Sequence, residues 1–288
     1  MTGVGAVVVS HRTPVRAARC ASSLFAAGAD AVVVADAGSG DDTAERVREV
    51  GAQVLVLPNL GFGRCANAGV AALPQDVDVV VVCNADTVWD EESVTNLATA
   101  VRATDVAAAG PRVTYPDGRP QASARTLPDL PTAMGHAALG LWRPDNRWTR
   151  RYRAVGQLDT EREVDWLSGC ALAVDRAAFT AIGGFDPAYF LYAEDVDLGV
   201  RLRNAGGRLV TVPTAHVVHE VGASTRAMPT RVAQHARSLD RFAATHVLTG
   251  RRALLRPLVW VGLLAWRVVA SVWGATRGTA PGRSTTGE

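Results

Sequence analysis

The sequence contains no lysine, so every fixed positive side-chain charge among its 288 residues is a guanidinium. Cysteine is scarce as well: Cys20, Cys65, Cys83 and Cys170 lie far apart among apolar or small neighbours, with no C-x-x-C spacing. That excludes a disulfide frame and a zinc site, and predicts reduced thiols within a core. Nowhere do about 20 apolar residues follow one another, the length a membrane-spanning helix needs. The clean run from Pro257 to Trp266 is confined between Arg256 and Arg267. No positive leader precedes the first apolar run, VGAVVVS, and polar residues follow it at once, so a first strand is expected there rather than a signal peptide. Internal repeats and low-complexity tracts are absent. The glycine fingerprint that follows the first strand of a dinucleotide-binding dehydrogenase is also missing, replaced by SHRTP, which argues against a nicotinamide cofactor.

What is present is a globular composition, 48% hydrophobic and 20% charged, in a chain long enough for one large domain and an appendage. The formal net charge of +2 hides an asymmetry. From Arg226 onward ten arginines face only Asp240 and Glu288, a local +8 that leaves −6 on the rest. The division expected is a body over residues 1–225 and a basic helical tail over residues 226–288. Such a tail requires an anionic partner, a membrane surface or nucleic acid. At about 100° per residue, Arg252, Arg256, Arg267 and Arg277 fall within a sector of about 80°, with Leu255, Trp266, Val269 and Trp273 largely elsewhere and Leu263 intruding. A helix lying in a membrane interface fits that wheel, and an ordinary packing helix is the alternative.

Short valine-rich runs at residues 4–9, 31–35, 53–57 and 77–83 alternate with helix-length stretches at 14–27, 42–50, 63–72 and 91–103. Continuous apolar strands separated by helices predict a mainly parallel, open α/β sheet of Rossmann-like type, covered on both faces. From Gly110 the pattern breaks, with a turn expected at YPDG, residues 115–118, and a long irregular segment to about Glu163. Order resumes at residues 164–174, followed by a short helix, an acidic helix and two strands at 208–212 and 215–219.

Ligands of an open parallel sheet sit outside the carboxyl ends of its strands. Those ends carry Ser10 and His11, then Asp36, then Asn59 through Asn67, then Asn84 and Asp86. Asp36 suits a ribose or a base N–H, and serves equally as a turn former. Asp86 closes the apolar strand VVVVCNAD and offers a hard oxygen ligand for Mg²⁺ or Mn²⁺, or a helix cap. His219 lies on the apolar side of its strand, where an imidazole is ordinarily a core residue and becomes a ligand only if Asp86 is near. The stretch FLYAEDVDLGVR crowds Glu194, Asp195 and Asp197 into four positions. Those acids suit a helix N-terminus, and they equally suit a catalytic carboxylate.

Taken in order, Ser10 at the first strand end, Asp36-Ala-Gly-Ser-Gly, Asn59-Leu-Gly-Phe-Gly with Asn67, Asn84-Ala-Asp86, Gly183-Gly-Phe-Asp186 and Glu194-Asp195-Val-Asp197 with Arg201 resemble the family 2 glycosyltransferases of the GT-A fold. The middle region, Ser123-Ala-Arg125, His136 to Trp142 and Trp166-Leu-Ser-Gly169, is similar to the actinobacterial rhamnosyltransferases that build the cell-wall linker. The resemblance implies inverting transfer from a nucleotide sugar, by analogy dTDP-L-rhamnose, to polyprenyl-diphosphate-linked N-acetylglucosamine at the cytoplasmic face of the membrane, without nucleic acid. It implies Asp195 as general base with Glu194 beside it, and Asp86 and His219 at Mn²⁺ or Mg²⁺. Ser10, His11, Asp36, Asn59, Asn67, Asn84 and Asp86 would meet the donor. Trp166, Ser168, Gly169, Asp197 and Arg201 would meet the acceptor. Like-charge crowding by Glu194 and Asp197 is expected to keep Asp195 basic. A UDP-sugar enzyme of the same family and a non-catalytic nucleotide-sugar-binding protein are the alternatives.

Overall fold

The structure, a computed structural model, describes residues 3–127, 145–153, 160–220 and 228–257, with residues 132, 135, 139, 140, 143, 259–262 and 264 besides. It divides into two compact units, residues 1–222 and residues 223–288. In the first unit, strands β1 (Gly3–Ser10), β2 (Ala31–Ala37), β3 (Gln53–Leu57) and β4 (Val77–Asn84) alternate with helices α1 (Pro14–Ala26), α2 (Thr43–Glu49) and α3 (Phe62–Ala72). There follow β5 (Thr87–Trp89), α4 (Ser93–Val101), β6 (Val106–Thr114), β7 (Ala124–Arg125), α5 (Arg147–Arg153), β8 (Glu163–Val164) and β9 (Trp166–Leu167). The unit closes with β10 (Ala171–Asp175), α6 (Arg176–Ala181), α7 (Glu194–Asn204) and β11 (Arg208–His219).

One sheet runs in the order β3-β2-β1-β4-β10-β6-β11-β5, with β8 paired to β11, while β7 and β9 form a separate small pair. β3, β2, β1 and β4 are mutually parallel, β10 is antiparallel to β4 and β6, and β11 is parallel to β6. Period-two alternation sends successive valines to opposite layers. Val4, Val8, Val32, Val34, Val79 and Val81 pack under α1 and α4, whereas Val7, Val33, Val80 and Val82 pack under α3, α6 and α7. Both faces are therefore dry at β1, β2 and β4, which is why these strands read as continuous apolar runs, whereas β3 at the edge keeps Val56 exposed.

Several elements differ from the sequence expectation, β6 and β11 for local reasons. β6 was not expected, because its run VAAAGPRVT is weak in β-formers and contains Gly110 and Pro111. The two strands expected at 208–212 and 215–219 are one, β11, with a register shift between Val212 and His216 opposite Pro111 and Arg112. Prolines lack the ladder donor, and Pro111 and Pro213 meet at this irregularity, where a missing N–H is tolerated. The expected turn at residues 115–118 closes with the Gly118 N–H donating to the Tyr115 carbonyl at 2.9 Å.

Helix α7 ends as its Gly206-Gly207 pair predicts. Gly206, at φ 94°, donates to Arg203 O, and Gly207 donates to Leu202 O, the two bonds of a Schellman motif. Its entry is less usual, since Tyr192 and Ala193 both adopt left-handed φ values of 70° and 62°. The Phe62 N–H fastens this entry by donating to Phe190 O at 3.0 Å. A Cβ on Gly61 would lie 2.1 Å from that same oxygen, so LGFG needs its first glycine for the start of α3 to approach the loop before α7.

The second unit contains α8 (Met228–Phe242), a π-helical turn at Ala243–Val247 and a 3₁₀ turn at Gly250–Leu255. Leu254 in that last turn is 84% exposed and Trp260 beyond it 55%, with Val261 and Leu264 exposed too. Among the described residues no helix is long and apolar enough to cross a membrane. Leu263, Trp266, Arg267, Val269, Trp273 and Arg277 of the expected amphipathic wheel lie outside the described residues, as do His136 and Trp142 of the middle region.

Candidate active site

Register places the strand ends side by side. Ser10 of β1 pairs with Asp36 of β2, Val9 with Asn84 of β4, and Cys83 with Ala171 of β10. Adjacent strands stand about 4.8 Å apart, so Asp36, Ser10, Asn84 and the start of β10 form one polar rim about 14 Å long. At its β2 end Asp36 is buried and accepts from the Ser39 hydroxyl and, at 3.3 Å, the Ser39 N–H. Ser39 Oγ in turn accepts from the Arg12 N–H at 2.7 Å, and His11 Nδ1 bonds to Ala37 O at 2.8 Å. Ser10 Oγ bonds to Thr13. Asn59 makes a tight turn, its side-chain oxygen accepting from the Gly61 N–H at 3.3 Å.

At the β10 end, the half-buried Asp195 carboxylate accepts from the Gly169 N–H at 3.0 Å and the Val196 N–H at 2.8 Å. Burial pushes its pKa up, while those N–H groups and the charge of Arg125 pull it down, leaving it above the ordinary carboxylate value. A carboxylate made more basic yet held by fixed donors is suited to take a proton. Glu194 differs. It is 6% exposed, its Oε2 has no hydrogen-bond partner among the described residues, and burial, with the neighbouring Asp195 charge, pushes its pKa up to about 8. At neutral pH it is a neutral acid.

Between the ordinary carboxylate range and about pH 8 the unfolded chain releases a proton that folded Glu194 keeps, so stability falls as pH rises through that window. Glu194→Gln, neutral at every pH, is expected to melt with a flatter pH profile and to exceed the wild type in stability above about pH 8. Thermal melts across the window check this, and parallel profiles for the two proteins would contradict it.

Asp86, two residues beyond Asn84 and held at the end of β11, has its Oδ1 3.0 Å from His219 Nε2, with Asn84 Nδ2 3.4 Å from the same nitrogen. The other ring nitrogen, Nδ1, faces Gln121 Oε1 at 3.0 Å. Burial disfavours the His219 cation, but hydrogen bonds to Asp86 and Cys170 outweigh it and lift its pKa to about 10. Neighbouring ligands of an octahedral ion with bonds of about 2.1 Å stand about 3.0 Å apart, so this oxygen and nitrogen fit a divalent ion in place of the proton they share. Among the described residues no three His, Cys, Asp or Glu side chains converge to hold a metal. An ion at Asp86 and His219 would take its other ligands from elsewhere, as diphosphate oxygens could supply.

The family model described as glycosyltransferase like family 2 matches residues 3–240. The chain is a member of glycosyltransferase family 2. Over 252 residues, 82% of this chain and 81% of the relative, it is 40% identical to the N-acetylglucosaminyl-diphospho-decaprenol L-rhamnosyltransferase of Mycobacterium tuberculosis. Over 90 residues, 31% of this chain and 34% of the relative, it is 36% identical to the rhamnosyltransferase WbbL of Escherichia coli. Among solved structures it is similar to the mannosyltransferase PcManGT of Pyrobaculum calidifontis in complex with GDP-Man and Mn²⁺, with TM-score 0.59 and 17% identity over 96% of this chain and 76% of that one. It is also similar to GalNAc-T7 with UDP, GalNAc and Mn²⁺, with TM-score 0.54 and 15% identity over 83% of this chain and 48% of that one. The structural likenesses show the fold, which is GT-A.

In this glycosyltransferase several residues expected at ligands make contacts within the scaffold. Asn67 uses its amide oxygen and nitrogen on the Phe185 N–H and carbonyl, at 2.9 and 2.8 Å, and so clamps Gly183-Gly-Phe-Asp186 against α3. Asp197, 1% exposed, pairs with Arg201 at 2.7 Å, and Arg201 also donates to Ile182 O at 3.0 Å. Two residues along a helix turn a side chain by about 200°, so Asp197 faces the turn after α6 rather than crowding Asp195. Through these contacts the pair docks α7. Trp166, Ser168 and Gly169 do assemble beside Asp195. Gly169 holds the carboxylate, the Ser168 N–H donates to Ser123 O at 2.7 Å, and Trp166 carries the Arg125 guanidinium 5.5 Å above its ring. Ser123 is 2% exposed and its hydroxyl lacks a partner among the described residues. The sequence marked Ser123 and Arg125 only by likeness. The signal for their role was the alternation of Gln121, Ser123 and Arg125 directly after a turn.

Proposed function

We propose that this glycosyltransferase transfers L-rhamnose from dTDP-L-rhamnose, with inversion, to N-acetylglucosamine linked to a polyprenyl diphosphate. The observation that carries the reading is the Asp195 carboxylate on the Gly169 N–H, at the same rim as Asp86 and His219. Asp195 takes the proton of the acceptor hydroxyl as its oxygen bonds to the anomeric carbon and the bond from that carbon to the donor phosphate breaks, releasing dTDP. Ser10, His11 and Asp36 hold the nucleoside end, Asn84 and Asp86 the diphosphate end, and Trp166, Ser168 and Gly169 the acceptor. Asp86 and His219 would hold Mn²⁺ or Mg²⁺, which neutralises charge on the departing diphosphate when bound. Support for the donor and acceptor comes from the mycobacterial relative, whose likeness spans the body of the chain. The test is a comparison of dTDP-L-rhamnose with UDP-sugars on a short polyprenyl-diphospho-N-acetylglucosamine. Preference for a UDP-sugar would move the chain to another donor within the family, and no transfer from any donor would leave a binding protein.

The tail is proposed to rest on anionic lipid at the cytoplasmic face, where such an acceptor presents its sugar. Exposed Leu254, Trp260 and Leu264 beside exposed Arg251, Arg252 and Arg256 support an interfacial seat. The chain is expected to sediment with phosphatidylglycerol vesicles at low salt, to be released by high salt, and to lose this binding on truncation after Gly250 while keeping dTDP affinity. Equal sedimentation of the truncated chain would rule out the tail as the anchor.

A further inference from the structure

After the turn at residues 115–118 the chain turns tightly once more, the Ser123 N–H donating to Gln121 O at 2.9 Å, before entering β7. Gln121 meets His219 through its side chain, and Arg125 in β7 bears on Asp195. Gln121 is fixed by its own N–H, which donates to Val113 O at 2.9 Å, and His219 follows Val218, which pairs with Thr114. Both partners of the Gln121–His219 hydrogen bond are thus referred to the same strand, β6, so the sheet rather than a free loop sets their separation.

An imidazole can offer a lone pair from Nε2 only while Nδ1 keeps its hydrogen, and the partner of Nδ1 decides which nitrogen keeps it. A side-chain oxygen at Nδ1 demands a hydrogen there. A group that instead donated to Nδ1 would move the hydrogen to Nε2, the tautomer that faces a cation with N–H.

We propose that Gln121 is a positioning residue of the donor site, accepting the Nδ1 hydrogen of His219 and so holding the Nε2 lone pair and the ring plane toward Asp86 for a divalent ion. The inference rests on the reading of Asp86 and His219 as ligands, and adds to it the residue that makes His219 competent. Outer partners of this kind typically change metal affinity by about 10–100-fold when removed.

The test uses the full chain, with Mn²⁺ titrated by electron paramagnetic resonance in the presence of saturating dTDP. Gln121→Ala is expected to bind Mn²⁺ about 10–100-fold more weakly while its dTDP affinity in chelator stays within about two-fold of wild type. Gln121→Glu, which restores an accepting oxygen, is expected to recover most of the Mn²⁺ affinity. In nitrogen-15 spectra of the wild type with Mg²⁺ and dTDP, His219 should carry its hydrogen on Nδ1. Wild-type Mn²⁺ affinity in Gln121→Ala, or a Gln121→Glu protein as weak as Gln121→Ala, would overturn the inference alone. Failure of the wild type to take up Mn²⁺ would overturn the metal reading and the role of Gln121 with it. Should Gln121→Ala lose its melting transition, Gln121→Glu and the wild-type ring spectrum decide, and a hydrogen on Nε2 then refutes the proposal.

Discussion

Asp195→Asn is expected to lower kcat by roughly 10²–10⁴-fold, the usual cost of losing a general base, and to leave dTDP affinity within a few-fold. An amide has one accepting oxygen where the carboxylate has two, so the variant can satisfy either the Gly169 N–H or the Val196 N–H, not both. A modest loss of stability should accompany the loss of rate, and a melting curve separates the two. The pH profile offers a second reading. Burial holds the Asp195 pKa above the ordinary carboxylate value against the pull of its donors and Arg125, and a base works only when ionised. Wild-type kcat should therefore fall as pH drops through a limb lying above the range of an exposed aspartate, and Asp195→Asn should lack that limb. Asp197→Asn should do the reverse, lowering the melting temperature through its lost Arg201 partner and sparing kcat. Near-normal turnover of Asp195→Asn at saturating substrates would remove Asp195 from the chemistry.

The parts of this enzyme that could be read in the sequence are those fixed by neighbours in the chain. β1 to β4 are valine runs between turn residues, and Asp36, Asn84 and Asp86 are legible because they directly follow such runs. β6 escaped because its alanines, Gly110 and Pro111 carry no strand signal, and it is held in place by β10 and β11. The same limit applies within the site. Asp195 is visible as one of three acids, yet which of the three is the base depends on long-range contacts. Gly169, 26 residues away, supplies the donor that singles out Asp195, and burial neutralises Glu194. Asp197 and Asn67 look functional by type, and the partners they meet, Arg201 and the Phe185 backbone, are ones that no local pattern specifies. The Gln121–His219 contact spans 98 residues, and only the sheet brings it about.

The second large effect is expected at the diphosphate end. Asp86→Ala should bind dTDP with Mn²⁺ present no better than the wild type does in chelator, a loss at least as large as the roughly 10–100-fold that follows removal of an outer-shell partner. The reason is the composition of the pair. Asp86 Oδ1 and His219 Nε2 stand at the spacing of neighbouring ligands, and the carboxylate is the one that supplies charge. With it gone, His219 retains Gln121 and Asn84 but faces any cation as a lone neutral ligand. Chelator should then have no further effect on the variant, whereas it should reduce the wild type to the variant's level. His219→Ala should move in the same direction by a smaller factor, since it removes a neutral ligand and leaves the charge. The backbone of Asp86 argues for a clean comparison, because its carbonyl accepts from the Glu220 N–H at 2.8 Å and does so whatever side chain it bears. Full wild-type activity in excess chelator would sink the metal at this site, and equal dTDP affinity in Asp86→Ala and the wild type with Mn²⁺ would show that the diphosphate is held elsewhere on the rim.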